Sequence, residues 1–422
     1  MYVGMGAPGN CRLRHQTPRH WGASRAATTA ARVRVCVCAG NARANNVTRM
    51  LRRRSAVAAV VVALALWAAT RKAHRPRIVA STQLSPAAAR ALERFRDSKA
   101  IRDGFYEALV SRWGGPYRGT VHTVLTFLAR NPLRSLVVFR RETLVLADGG
   151  TVALDRAGSG RGATVLLHHG LAGDSTSFYV RHLADELIAR GFSIVSFVAR
   201  GCGGLELSTS EGFTAARTQD MREVVAKLRS DLGPDAELYA VGFSLGAGIL
   251  LKYLGEEGAA CTIKAAVAIS PSFDYLITTP HFDTWSRVRL VHGLKQWANR
   301  HRHVLRDTVD YDVLTTVATV REFDAAAIVR QYGYKDVDDY YLASSPRLVA
   351  HNIAVPTVAL TAGDDPVCSA AGVPAADKLG PGLVSVQSDY GGHVAFGEGV
   401  LGTSSWQDRV VLDWIDAVRR GL

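Results

Sequence analysis

Residues 242–246 read Gly242-Phe243-Ser244-Leu245-Gly246, between an apolar run, Glu237 to Val241, and a stretch that continues as Ile249 to Leu254. A serine hydroxyl is a weak nucleophile, so it needs a neighbouring base to take its proton and a third group to hold that base. A strand turning tightly into a helix would supply the first part of such chemistry. It leaves Ser244 Oγ projecting and aims the amide of Leu245 into the same space as an oxyanion donor. The two glycines let the backbones of strand and helix approach. Alone, Gly-x-Ser-x-Gly is a common pattern; its place between a buried strand and a run of small helix residues makes it specific.

The partners are sought in the order Ser, Asp, His. After the apolar run Val355 to Leu360 comes Ala362-Gly363-Asp364-Asp365-Pro366-Val367, an acidic turn at the carboxyl end of a strand. After Leu383 to Val386 comes Tyr390-Gly391-Gly392-His393, a histidine in a glycine-flanked loop. His393 is expected as general base and then acid. Asp365 is expected to orient it while Asp364 caps or braces the turn, with the reverse assignment as the alternative. A second oxyanion donor is expected from Leu166-Leu167-His168-His169-Gly170-Leu171-Ala172-Gly173-Asp174, with the amide of Leu171 the candidate. His169 and Asp174 also match a short acyltransferase pattern in which a histidine acts as base with an acid five residues on. The oxyanion role explains the glycine-rich turn without it. Arg200-Gly201-Cys202-Gly203-Gly204 should wall the same pocket, with no redox role needed for Cys202.

Apolar runs without alternation recur at Ala163 to Leu167, Phe192 to Val198, Glu237 to Val241, Ile263 to Ile269, Val355 to Leu360 and Leu383 to Val386. Apolar strands of that kind belong to a sheet buried on both faces. Helical periodicity lies between them, as in Arg217 to Leu232 with Met221, Val224, Val225 and Leu228 at spacings of three and four. The sheet should therefore be mostly parallel. Ahead of it, Ser135 to Phe139 with Glu142 to Leu146, and Thr151 to Asp155 after the turn Asp148-Gly149-Gly150, give a hairpin signal. The stretch from about 273 to 347 is too long for a loop; Val288 to Trp297 and Phe323 to Val329 look helical, so a helical cap is expected there, after the sixth strand counted from the hairpin. An antiparallel hairpin followed by a doubly wound parallel sheet with an inserted cap is the order of an α/β-hydrolase fold.

Several pieces, in order, resemble the AB hydrolase superfamily, specifically the group of membrane-anchored ABHD lipases and related bacterial esterases. They are His169-Gly170-Leu171, Arg200-Gly201-Cys202-Gly203-Gly204, Gly242 to Gly246 with Leu251-Lys252-Tyr253-Leu254-Gly255, and Tyr390-Gly391-Gly392-His393. Arg321-Glu322-Phe323-Asp324, Tyr332-Gly333-Tyr334 and Tyr340-Tyr341 before Ser344-Ser345 look like that group's connection from cap to sheet. The likeness runs from roughly Pro132 to the end. It implies hydrolysis of carboxylic esters, often of membrane lipids such as monoacylglycerols or phospholipids, by a serine nucleophile without a metal or other cofactor. Apolar cap residues such as Leu290, Val291, Leu294 and Trp297 suit an acyl chain. Two other classes stay open: an acyltransferase using the same triad, and a non-catalytic lipid-binding member.

The charge is distributed unevenly. Of 422 residues 51 are Lys or Arg and 37 Asp or Glu, a formal +14, yet no acid precedes Glu93. The first 92 residues hold 16 of the basic ones, so the remainder is near −2 and a nucleic-acid partner is not indicated. A hydrophobic content of 48% with 21% charged residues excludes disorder of the whole chain. Residues 1–49 read as a basic disordered leader, either an organellar presequence or an extension upstream of a start at Met50. Cys36 and Cys38 lack the further ligands of a zinc site, and the six cysteines form no disulfide framework. Over 50–72, Met50-Leu51-Arg52-Arg53-Arg54, the uncharged Ser55 to Thr70 and Arg71-Lys72 read as a signal anchor, with a cleaved secretory signal as rival. A single-pass endomembrane location such as the endoplasmic reticulum follows, a secreted or mitochondrial one being the alternative. Residues 73–131 read as linker and helices, and 132–422 as the catalytic domain.

Overall fold

The computed structural model describes residues 61–62, 73–131, 134–159 and 162–421. The chain divides into two units, Met1–Ala69 and Thr70–Leu422. Of the first, only Val61 and Val62 are described, both helical and exposed. The leader, most of the expected anchor and Cys11, Cys36 and Cys38 lie outside the described residues, and among those described no helix is long and apolar enough to cross a membrane.

The second unit is built on a nine-stranded sheet of β1 Arg77–Ala80, β2 Arg140–Val145, β3 Thr151–Ala157, β4 Thr164–His168, β5 Ser193–Val198, β6 Leu238–Phe243, β7 Ala265–Ile269, β8 Thr357–Ala362 and β9 Leu383–Ser388. Its order is β1-β9-β8-β7-β6-β4-β5-β3-β2. The six central strands run parallel, with β3 and β2 antiparallel at one edge and β1 at the other. All six apolar runs are strands. Their lack of alternation has a visible cause: Val165 and Leu167 pack into one core while Leu166 between them packs into the other. Helices α1 Pro86–Arg96 and α3 Phe178–Ala189 cover the first face, together with the last helix, Trp406–Arg419, and its buried Trp406 and Trp414. Helices α4 Gln219–Leu232 and α5 Leu245–Glu257 cover the second. A further helix, α2 Arg118–Ala129, precedes the hairpin.

Two expectations are corrected. Ser135 to Phe139 is not a strand, because its backbone is taken up by side chains of α3: Arg181 Nη2 donates to the carbonyls of Ser135 and Val137, and Leu136 N–H donates to Asp185. Residues 73–131, read as linker and helices, also supply an edge strand, since Arg77 to Ala80 pair with Gln387 to Val384. Four residues with no alternation carry no signal of their own, so only the partner strand reveals β1.

Between β7 and β8 the chain leaves the sheet as the helical cap expected over 273–347. It comprises α6 Tyr275–His281, α7 Thr284–Arg300, shorter turns including Val320–Asp324, and α8 Val337–Ser344. Acidic N-caps start these helices: Asp274 accepts Leu276 N–H, Asp283 accepts Ser286 N–H and Asp336 accepts Asp339 N–H. Val291, Leu294, Ala298, Leu305 and Phe323 form a core of the cap's own. The helix after it in chain order is α9 Trp406–Arg419.

Candidate active site

Ser244 sits between β6 and α5 with φ of 53°, a left-handed conformation that a serine adopts only under constraint. The flanking glycines explain how the turn is reached. A Cβ on Gly242 would stand 2.6 Å from the carbonyl oxygen of Gly246, and one on Gly246 would overlap the carbonyl of His169. The elbow is thus locked against its own helix and against the loop after β4.

The Ser244 hydroxyl donates to His393 Nε2 at 2.8 Å, and His393 Nδ1–H donates to Asp365, whose oxygens lie at 3.0 and 2.9 Å. Three loops at the carboxyl ends of β6, β8 and β9 are brought together. Asp365 is buried, and its Oδ1 also accepts the amides of Val367 and Cys368 at 2.8 Å each. Those amides hold the carboxylate still. Asp364 points elsewhere: its Oδ1 accepts Gly392 N–H at 2.9 Å, and burial pushes its carboxyl up to about 6. Of the two aspartates, Asp365 faces the imidazole and Asp364 ties the acid turn to the histidine loop.

The amides of Leu171 and Leu245 have no hydrogen-bond acceptor among the described residues, and both residues line the same pocket as Ser244. Two uncommitted donors beside a nucleophile are what an oxyanion needs. His169 is not available as a base. Its Nε2 accepts Ala199 N–H at 3.1 Å, which leaves the proton on Nδ1, donated to Gly170 O at 2.7 Å, while burial pushes its pKa down. Asp174 takes the amide and hydroxyl of Thr176. His168 is buried, stacked on Phe197 at 4.5 Å and likewise pushed well down by burial.

Ser244 opens into a pocket enclosing about 960 Å³ of empty space, its mouth included. Leu290, Leu294 and Trp297 of α7 line it as expected. Val291 does not; it packs within the cap's core, to which Leu294 also belongs. Cys202 reaches the pocket from the glycine-rich loop; burial pushes its thiol up to about 12, which removes the thiolate that redox chemistry would use. Arg200 in the same loop is buried and held by Asp220 and Asp148. Sequence reasoning missed Phe213, Tyr275, Phe323, Tyr340 and Asp324, which also line the pocket. Asp324 is the one charged type among them. It accepts the Tyr341 hydroxyl at 2.9 Å, and burial pushes it up to about 7. Its place within the quoted Arg321-Glu322-Phe323-Asp324 run was the signal at hand, but no spacing rule says which of those four side chains turns inward.

A family model described as "Alpha/beta hydrolase family" matches residues 165–411. Phospholipase ABHD3 of Bos taurus is 30% identical over 68% of this chain and 73% of its own. The monoacylglycerol lipase of Saccharomyces cerevisiae is 32% identical over 55% of this chain and 54% of its own. The medium-chain fatty acid ethyl ester synthase/esterase 2 of the same yeast is 28% identical over 59% of this chain and 61% of its own.

Proposed function

The chain belongs to the alpha/beta hydrolase family, and on that premise we propose that it is a serine hydrolase cleaving carboxylic esters of lipids through an acyl-enzyme on Ser244. The observation that carries the reading is the unbroken line from Asp365 through His393 to Ser244 at the floor of an apolar pocket. As the Ser244 oxygen attacks the ester carbonyl, His393 Nε2 takes its proton, and Asp365 holds the imidazole in the required tautomer and stabilises its charge. The developing oxyanion is met by the amides of Leu171 and Leu245; donors so placed contribute about 3 kcal/mol each. His393 then returns the proton to the leaving alcohol, and water repeats the sequence to free the acid.

Lipid is favoured by the pocket's apolar lining and by the names of the phospholipase and monoacylglycerol lipase relatives. Residues 55–70 would anchor the chain in an endomembrane beside that substrate, with secretion or a mitochondrial address as alternatives. Carbonate extraction of the full chain tests this, retention with the membranes being expected. Fluorophosphonate labelling of membranes containing the wild type, Ser244→Ala and His393→Ala, followed by a monoacylglycerol and phospholipid panel, tests the activity. Labelling confined to the wild type, with turnover of a panel lipid, is expected. A wild type that neither labels nor turns over lipid would leave a non-catalytic lipid-binding protein.

A second reading is acyl transfer to an alcohol on the same acyl-enzyme. The ethyl ester synthase/esterase relative favours it. An added alcohol that captures the acyl group faster than water would establish it.

A further inference from the structure

The loop that presents His393 is strained. Val394 and Phe396 have φ of 50° and 45°, a region that side-chain-bearing residues avoid and a β-branched valine most of all. Such a conformation persists only where its surroundings over-determine it. Here nearly every amide of the loop has a fixed acceptor: Gly392 on Asp364 Oδ1 at 2.9 Å, His393 on Thr123 Oγ1 at 2.8 Å, Val394 on Ser270 Oγ at 3.1 Å, Phe396 on Gly391 O at 2.8 Å and Gly397 on His122 Nε2 at 2.8 Å. Two of these acceptors, Thr123 and His122, belong to α2, which lies outside the 165–411 stretch that the family model matches.

Thr123 is placed so that its hydroxyl can act in one direction only. Its O–H is donated to Gly119 O at 2.8 Å, which turns its lone pairs toward the amide of His393. One turn earlier, Gly119 lies so close to the acid turn that a Cβ there would overlap the carbonyl of Asp364. Beside it the Thr120 hydroxyl meets the carboxylate of Asp283, the N-cap of α7 in the cap. Helix α2 therefore touches the acid turn, the histidine loop and the entry to the cap.

We propose that Thr123 is a positioning residue for catalysis, fixing the backbone of His393 so that one ring nitrogen meets Ser244 while the other meets Asp365, with α2 as the rigid element that carries it. The proposal rests on the reading of Ser244, His393 and Asp365 as the triad. Without the threonine acceptor, the His393 amide is left unpaired beside a left-handed Val394. The loop can then relax by moving the imidazole, and displacements of this kind are expensive in rate.

The test uses the full chain in membranes and compares Thr123→Val, Thr123→Ala, Thr123→Ser and Thr126→Val. Thr126 lies on the same helix, more deeply buried than Thr123 and against Gly397 of the loop, with a hydroxyl that has no partner among the described residues, so its valine variant perturbs the packing of helix against loop without removing a hydrogen bond. Thr123→Val and Thr123→Ala are expected to lower kcat and the rate of fluorophosphonate labelling about tenfold, as befits one lost hydrogen bond to a partly buried amide. KM should be unchanged. Thr123→Ser should recover the rate to within about threefold, and Thr126→Val should match the wild type. Using two substitutions at 123 keeps the test decisive if the valine variant does not fold. Thr123→Ala at the wild-type rate, or an equal loss in Thr126→Val, overturns the proposal. A wild type whose labelling survives Ser244→Ala removes the triad reading instead, and this inference falls with it.

Discussion

The turn at Ser244 and the histidine loop hold the two ends of the proposed proton relay by different means. The elbow is held mainly by its neighbours in sequence: Ser244 sits between an adjoining strand and helix, with glycines two residues away making space for the turn, while the carbonyl of His169 and the strand end at Ile269 reach it from elsewhere. The histidine loop is held from a distance, by Thr123 and His122 some 270 residues earlier and by Ser270 at the end of β7. A motif can therefore describe the first, whereas the second exists only when the sheet has brought remote segments together.

The largest effect expected tests whether the two halves act as one unit. Ser244→Ala and His393→Ala should each lower ester hydrolysis by about 10⁴-fold or more, and the double variant should be no worse than either. Additive losses in steady-state kinetics would break the relay into independent parts. Next comes the acid turn, which serves both halves. Asp365→Asn should cost about 10³- to 10⁴-fold in kcat by spoiling the tautomer of His393. Asp364→Asn should cost less than about tenfold, because an amide oxygen can still accept Gly392 N–H. Equal losses would erase the distinction between orienting and bracing.

On the elbow side, Gly242→Ala forces a Cβ against backbone atoms of Gly246 and Ala247. Urea unfolding should show a loss of about 3 kcal/mol or more, and a stable variant would mean that the elbow is less rigid than the geometry implies. On the histidine side the smallest effect is one of pH. Burial pushes His122 down to about 4 from 6.5. Between those values the unfolded chain binds a proton that the folded protein does not, so the contribution of neutral His122 is present above pH 6.5 and lost as pH falls to 4. The melting-temperature advantage of the wild type over His122→Gln should shrink across that window. A constant difference would separate His122 from the loop's stability.

Much of the fold was legible because the physics that sets it is local. Six buried strands show as unbroken apolar runs, and the cap shows as a stretch too long to be a loop. Ser135 to Phe139 misled because its composition suits a strand while its hydrogen bonds go to Arg181 and Asp185 instead. In the site, the order Ser244, Asp365, His393 was readable from turns that follow strands. The choice between Asp364 and Asp365 rested on the Asp-Pro-Val continuation, and only the direction in which each carboxylate points could decide it.

By itself the sequence determined the chemical class, the fold class and the strand ends that carry Ser244, Asp365 and His393, since each depends on residues close together in the chain. Tertiary structure alone decided that Val291 turns away from the pocket while Asp324 turns into it. It also decided that His169 is spent on backbone hydrogen bonds, and that His393 leans on a helix well before the hairpin. Each of those depends on which surfaces meet once the sheet has closed, and no spacing along the chain encodes that meeting.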